Sequence, residues 1–310
     1  MPNQTEHFPL NAREFETWFK TYDDCRNYLN EIRWGDSFVC PKCRSTRFAL
    51  MTNGYHLCLD CKHKCSATSG TIFEKTHISL LAWFRAIWYV CSQKDGASAL
   101  GLQRVLALGS YKTAWLILHK IRKAMVTPER SRLSGLVQVD ESYIGGSSHS
   151  IEKKGRGTEQ SLIFIAIEKQ ERKLGRCRIV LIPNASAMSL NAAIAENIEP
   201  GSTLETDGWR GYNQVEQNGY IRKTVRKEDM LSSPENLLPQ CHLISSLLQR
   251  WLLSTLQGAV RKQYLQDYLN EYIFRFNRRK SGSRGKLFFR LIQNAVRIER
   301  STLREIIDNH

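Results

Sequence analysis

The stretch Val137–Gly146, VQVDESYIGG, decides the fold. Apolar and polar residues alternate up to Asp140, the pattern of a β-strand whose two faces see different surroundings. Two adjacent carboxylates, Asp140 and Glu141, follow, and Gly145-Gly146 then allows a sharp turn. Alternation sets Asp140 on the face of Gln138, and Glu141 on the face of Val137 and Val139. Asp140 is therefore read as the site residue, and Glu141 is expected to brace the opposite face.

Further strands follow. SLIFIAIEKQ (161–170) and GRCRIVLIPNA (175–185) read as two, separated by a turn near Glu171. SLNAAIAENI (189–198) reads as a helix, and STLETDGWRGY (202–212) as a strand ending at Asp207. Three strands, a helix and a fourth strand, with acids where the first and fourth end, is the order of a ribonuclease-H-like α/β sheet. In that topology the first and fourth strands are neighbours, so Asp140 and Asp207 lie side by side. Hard carboxylate oxygens suit magnesium, and a pair of such ions clamps the attacking and leaving oxygens of a phosphodiester. A third ligand is expected on the helix CHLISSLLQRWLLSTLQG (241–258). Leu243, Leu247, Leu248, Trp251 and Leu252 read as its buried stripe. His242, Ser245, Ser246 and Gln249 read as its polar side. No acid sits there, and a neutral His242 imidazole is a competent ligand.

The bulk composition fits a nucleic-acid enzyme. The 310 residues suggest about two domains, and 42% hydrophobic content suffices for a core. Forty-five Lys and Arg against thirty Asp and Glu give +15, which points to a polyanionic partner. MPNQTEHFPL lacks the basic and apolar regions of a signal peptide. The most apolar span, LLAWFRAIWYVC (80–91), is too short for a bilayer and contains Arg85. A cytoplasmic protein without a membrane partner is expected, and its nine cysteines are then not a disulfide framework.

Four of those cysteines have a spacing. Cys40-Pro-Lys-Cys43 and Cys58-Leu-Asp-Cys61 stand fourteen residues apart, around a hairpin turn at Asn53-Gly54. Two such knuckles make a closed, structural zinc ribbon. Cys65, His56 and His63 are alternative ligands nearby, whereas Cys25, Cys91, Cys177 and Cys241 read as core. Lys42, Arg44, Arg47, Lys62 and Lys64 make the ribbon basic.

Helical patterns follow from Ser79, a plausible N-cap, with Leu80, Trp83, Ile87 and Val90 on one stripe. A short helix from Ala97 to about Leu106 closes near Gly109. The next has Ala114, Ile117 and Ile121 inward and Lys112, Lys120, Arg122 and Lys123 outward. The pair resembles a helix-turn-helix, with Lys112, Lys120 and Lys123 on DNA. Further along, KQYLQDYLNEYIFRFNRR buries Leu265, Leu269, Tyr272 and Phe276, and Glu271 is a rival third carboxylate or a partner of Arg275. From Arg275 to Arg297 there are eight basic residues and no acids, with Phe288 and Phe289 among them. Arg275, Arg278 and Arg279 read as DNA contacts in a wall that tracks phosphates, as does the loop SSHSIEKKGRGTEQ (147–160).

With these residues in view the chain resembles the zinc-ribbon insertion-sequence transposases of the ISXO-like group. The resemblance rests on RWGDSFVCPKC, TSGTIFEKTHISLLAWF, LGSYKTAWLILHKIRKAM, VQVDESYIGG, TDGWRGY and YLNEYIFRFNRR, in that order, from about Phe15 to Val296. It implies a DDE-type catalytic core in which Asp140, Asp207 and His242 bind magnesium or manganese as two ions. The third position is glutamate in many members, and asparagine or histidine in others. It further implies cleavage at the element's terminal repeats and transfer of the freed 3′-hydroxyl into target DNA, by at least a dimer on DNA. Many relatives carry a lysine where this chain has Gln249, with Arg250 next. That departure sustains an alternative, a decayed transposase acting only as a DNA-binding regulator. The expected segments are a helical lead (1–35), a zinc ribbon (36–78), a helix-turn-helix-like region (79–127), the catalytic domain (128–282) and a basic C-terminal helix (283–310).

Overall fold

The computed structural model describes residues 6–35, 37–127, 129–145, 160–170, 173–226, 237–257 and 260–308. The chain forms two compact units, Met1–Thr127 with Lys280–His310, and Pro128–Arg279.

The first unit opens with α1 (Ala12–Trp18) and α2 (Tyr22–Trp34). Asn11 caps α1 by accepting the Glu14 N–H, and Thr21 with Asp24 forms a reciprocal capping box on α2, so each start has part of its free N–H groups satisfied. Strands β1 (Phe48–Leu50), β2 (His56–Cys58) and β3 (Lys64–Cys65) form an antiparallel sheet in that order. Between β1 and β2, Gly54 takes the left-handed conformation that the turn requires (φ 77°). Helix α3 (Leu80–Ser92) is capped by Ser79 and buries Leu80, Trp83, Ile87 and Val90, the stripe its periodicity predicts. After α4 (Ala99–Val105) the left-handed residue is Ala107 (φ 48°), not Gly109. Helix α5 (Tyr111–Ala124) buries Ala114, Ile117 and Ile121.

The second unit is a mixed sheet with helices on both faces. It contains β4 (Leu136–Ile144), β5 (Ser161–Gln170), β6 (Lys173–Leu181), α6 (Ala187–Asn197), β7 (Thr203–Thr206), β8 (Ile221–Thr224), α7 (Pro239–Leu256) and α8 (Leu265–Asn277). The strand order is β6-β5-β4-β7-β8. β4 is antiparallel to β5 and parallel to β7, and β8 continues the parallel side. This is a ribonuclease-H-like core. Val137, Val139, Phe164 and Leu204 pack on one face with Leu190 and Ile194 of α6. Gln138, Asp140 and Ser142 point to the other face, where α7 lies.

Three expectations are corrected. β4 does not end at Asp140 but continues to Ile144, because β5 pairs with it along its whole length. The buried row of α7 is Cys241, Ile244, Leu248 and Leu252. Leu243 is 43% exposed, because polar groups of the sheet draw Gln240, Cys241 and Ser245 toward it. The edge strand β8 has no counterpart in the sequence reading. Gly146, the loop over 147–159 and the turn near Glu171 lie outside the described residues.

Helix α8 covers the open edge of β6. Asn277 accepts the Cys177 N–H at 2.7 Å and donates to its carbonyl at 3.0 Å, while Gln266 accepts the Leu181 N–H at 3.0 Å. Unpaired strand edges invite association, and these side chains remove one. The chain then returns to the first unit as α9 (Arg284–Ala295) and α10 (Leu303–Asp308). Phe288 of α9 sits among Phe15, Phe19, Tyr28, Phe84 and Trp88, with ring centroids 5.5–6.3 Å away. Among the described residues no helix is long and apolar enough to cross a membrane.

Candidate functional site

Parallel pairing brings the strands that lead to the first two candidate residues side by side. Leu136, Val137 and Gln138 of β4 face Thr203, Leu204 and Glu205 of β7. Asp140 and Asp207 each follow two residues after the last paired residues, Gln138 and Glu205, and the charge of Asp207 is felt at Asp140. β7 has stopped at Thr206, so this flank of β4 is open. Asp207 Oδ1 accepts the Trp209 N–H at 2.9 Å, which fixes its carboxylate. Arg222 of β8 holds the loop by donating to Thr206 Oγ1, to the carbonyls of Asp207 and Trp209, and to Asn213 Oδ1. From α7, His242 Nε2 lies 3.2 Å from Asp140 Oδ2. The imidazole is 47% exposed and the aspartate 15%, so the pair opens to solvent on the histidine side.

Electrostatics marks the spot. Burial pushes the Asp140 carboxyl up to about 7; the Glu141 N–H opposes this and the charge of Asp207 adds to it. Glu141 is also pushed up to about 7, first by burial. It occupies the other face, beside Tyr212, whose own hydroxyl burial holds well above its usual range. Glu141 Oε1 and Tyr212 Oη are both buried, and neither makes a hydrogen bond of good geometry. A divalent cation would relieve this crowding of carboxyls. The donor set fits one: two hard carboxylates for magnesium or manganese, and an imidazole better suited to manganese. Asp140 and His242 are brought into contact. Among the described residues, though, only the four ribbon cysteines form a set of three or more such ligands lying mutually within 4.8 Å. Glu271, the rival carboxylate, is buried and bonded to Arg275 at 2.9 Å.

The ribbon is a second, closed centre. Cys40 and Cys61 sulfurs are 3.6 Å apart, and Cys43 and Cys58 sulfurs 3.5 Å. Ligands about 2.3 Å from a tetrahedral zinc lie about 3.8 Å from each other, so the set fits zinc. The knuckles repeat one geometry. Arg44 and Lys62 both take positive φ and donate to the carbonyls of Cys40 and Cys58. The N–H groups of Cys61 and Asp60, set against some burial, bring the Cys58 thiol down to about 6, toward the thiolate a metal needs. His56 is instead buried among Trp34, Phe38 and Phe48.

The basic residues divide. Lys42, Arg44, Arg47, Lys62, Lys64 and Lys112 are exposed. Lys120 and Arg122, expected outward, are buried at 6% and 2% exposure. Arg300 and Glu305 of the C-terminal segment lie beside Lys120, and burial lowers its pKa. Arg122 donates to the Ala97 carbonyl at 3.0 Å. Lys123 is half-buried, its Nζ 3.4 Å from Ser301 Oγ. Arg275 is spent on Glu271, and Arg278 lies over the Phe274 ring at 4.1 Å. Arg279 donates to the carbonyls of Leu174 and Gly175 on the β6 edge.

Two residues that shape the site were missed. Gln138 shares the face of Asp140, but its partners on α7 lie far along the chain. Arg222 carried no signal, in a short charged stretch.

Comparison with known proteins follows the same division. The ISXO2-like transposase domain matches residues 132–277, and the transposase zinc-ribbon domain matches residues 20–64. A protein of the transposable element ISH50 from Halobacterium salinarum is 26% identical over 267 residues, covering 80% of this chain and 88% of the relative. The catalytic core domain of BIV integrase aligns with a TM-score of 0.33 and 16% identity, over 49% of this chain and 90% of that one. The Mos1 strand transfer complex aligns at 0.29 and 10%, over 69% and 75%. At those scores neither alignment bears on the fold, which the strand order defines.

Proposed function

We propose that this chain, matched over residues 132–277 by the ISXO2-like transposase domain and over residues 20–64 by the transposase zinc-ribbon domain, mobilises an insertion sequence. It cuts DNA at the element's ends and joins the freed 3′-hydroxyl to target DNA. The observation that carries this reading is the approach of His242 to within 3.2 Å of Asp140, with Asp207 just past the end of the neighbouring strand β7. Asp140, Asp207 and His242 would hold magnesium or manganese, and two such ions supply Lewis-acid stabilisation to the attacking and leaving oxygens of a phosphodiester. The chain's own part is placement. β4 carries Asp140, the loop after β7 carries Asp207 with its carboxylate oriented by the Trp209 N–H, and α7 carries His242. The ribbon cations and Lys112 are the proposed phosphate contacts of the first unit, consistent with a charge of +15. Synapsis of two ends requires at least a dimer on DNA.

The test is cleavage and strand transfer on DNA carrying the gene's own flanking repeats, with manganese, for wild type, Asp207→Ala and His242→Ala. End-specific joining lost in both variants is the expected result. Joining that survives His242→Ala would move the third ligand elsewhere. Gln249, exposed on α7 where many relatives have lysine, favours the second reading, a decayed regulator. A wild type that binds the repeats and zinc but never joins ends would establish that one.

A further inference from the structure

Gln138 is completely buried in β4, two residues before Asp140. Helix α7 explains it. Its N-cap, Leu238, has no capping side chain, and Pro239 at its first position has no N–H. The N–H groups of Gln240 and Cys241 are then left over. Gln138 Oε1 accepts both, at 2.9 and 3.1 Å. His242 is the first residue served within the helix, by the Leu238 carbonyl at 3.0 Å. On its other side, Gln138 Nε2 donates to Glu205 Oε2 at 2.8 Å. Glu205 stands opposite Gln138 in the β4–β7 register, two residues before Asp207. Lys169 of β5 and Lys223 of β8 donate to the same buried carboxylate at 2.9 and 3.4 Å. One hydrogen-bonded layer, a single pleat below the site, thus joins the three elements that carry Asp140, Asp207 and His242.

We propose that Gln138 is a positioning residue: it caps α7 from the sheet and so sets the reach of His242 toward Asp140, with Glu205 orienting its amide. This rests on the reading in which those three side chains hold a divalent cation. Only an amide does both tasks, because two backbone donors meet one end and a carboxylate acceptor meets the other. Leucine would leave two N–H groups and a carboxylate unsatisfied. Glutamate would set two carboxylates against each other. A ligand displaced by about 1 Å costs on the order of 100-fold in rate.

The test uses the full, zinc-loaded chain. Manganese binding is measured by calorimetry without DNA, and end cleavage by kinetics, for Gln138→Leu, Gln138→Glu and Gln138→Glu combined with Glu205→Gln. Each single variant should bind manganese about tenfold or more weakly, with kcat falling in parallel and KM for DNA within about twofold of wild type. The double variant reverses the polarity of the amide–carboxylate pair and should recover to within about threefold. Folded single variants that bind manganese like wild type overturn the proposal. If Gln138→Leu does not fold, the exchanged pair decides: a folded double variant no better than Gln138→Glu overturns it as well. Asp140→Asn separates the two levels. Manganese binding that survives Asp140→Asn removes the metal-site reading and this inference with it. Binding lost there but untouched in the Gln138 variants removes the inference alone.

Discussion

In the proposed metal site, His242 is the residue that departs most from a set of three carboxylates. An imidazole offers a softer donor than a carboxylate and carries one negative charge less. His242→Glu is therefore expected to lower the half-saturating magnesium concentration for cleavage by about tenfold and to narrow the preference for manganese. Equal half-saturation of the wild type by the two metals would contradict this. Away from the site, Glu168 of β5 ties β6 and the Ser134 backbone together. Burial alone would raise its pKa, but bonds from the Arg176 side chain and from the Arg176 and Ser134 N–H groups outweigh that and lower it from 4.5. A lowered carboxyl contributes stability above its unfolded value and loses it as the pH falls through the folded one. Glu168→Gln should thus melt below wild type at pH 7, with the gap closing under about pH 4.5. A gap that persisted at pH 3 would show the role to be packing. The strand that carries Asp140 was legible from its alternating pattern. Gln138 was not, because its α7 partners lie 102 and 103 residues away.

At the scale of elements, α9 approaches the N-terminal segment closely at Gly285. A Cβ built on Gly285 would fall 1.7 Å from the Pro9 carbonyl oxygen and 2.8 Å from its carbon. Helix propensity alone favours Gly285→Ala by about 1 kcal/mol. The clash is with backbone, so the substitution is expected to destabilise the first unit by about 1–3 kcal/mol instead. An unchanged or higher melting temperature would show that the N-terminal segment yields freely. Long, strongly periodic elements such as α3, α5 and α8 could be read from their apolar spacing. β8 could not, since Ile221 is 59% exposed and Arg222 and Lys223 break any apolar pattern on an edge strand. The face of α7 was misjudged for a related reason. Periodicity counts leucines, whereas this helix is seated by hydrogen bonds from Gln138 and Ser142 that no hydropathy pattern records.

At the scale of the molecule, the second unit is one continuous segment, and the first is built from both sides of it. A fragment spanning 128–279 is expected to fold alone, with dispersed NMR signals and a cooperative melt; a molten fragment would refute this. Phe288→Ala should cost the first unit about 3–5 kcal/mol and leave the second unit's melt unchanged. The zinc-ribbon segment was readable from its cysteine spacing. The return of the chain into the first unit was not, because Phe288 and Phe289 lie in a basic run that also suits a phosphate-binding surface. That return gives synthesis on the ribosome a direction. The aromatic cluster around Phe288 stays incomplete until that residue emerges, roughly 10–30 s after Thr127 at ordinary elongation rates. The segment of the second unit is complete before then, so the unit begun first is finished last, and a chain terminated early after Arg279 would release a folded second unit beside an unfinished first one.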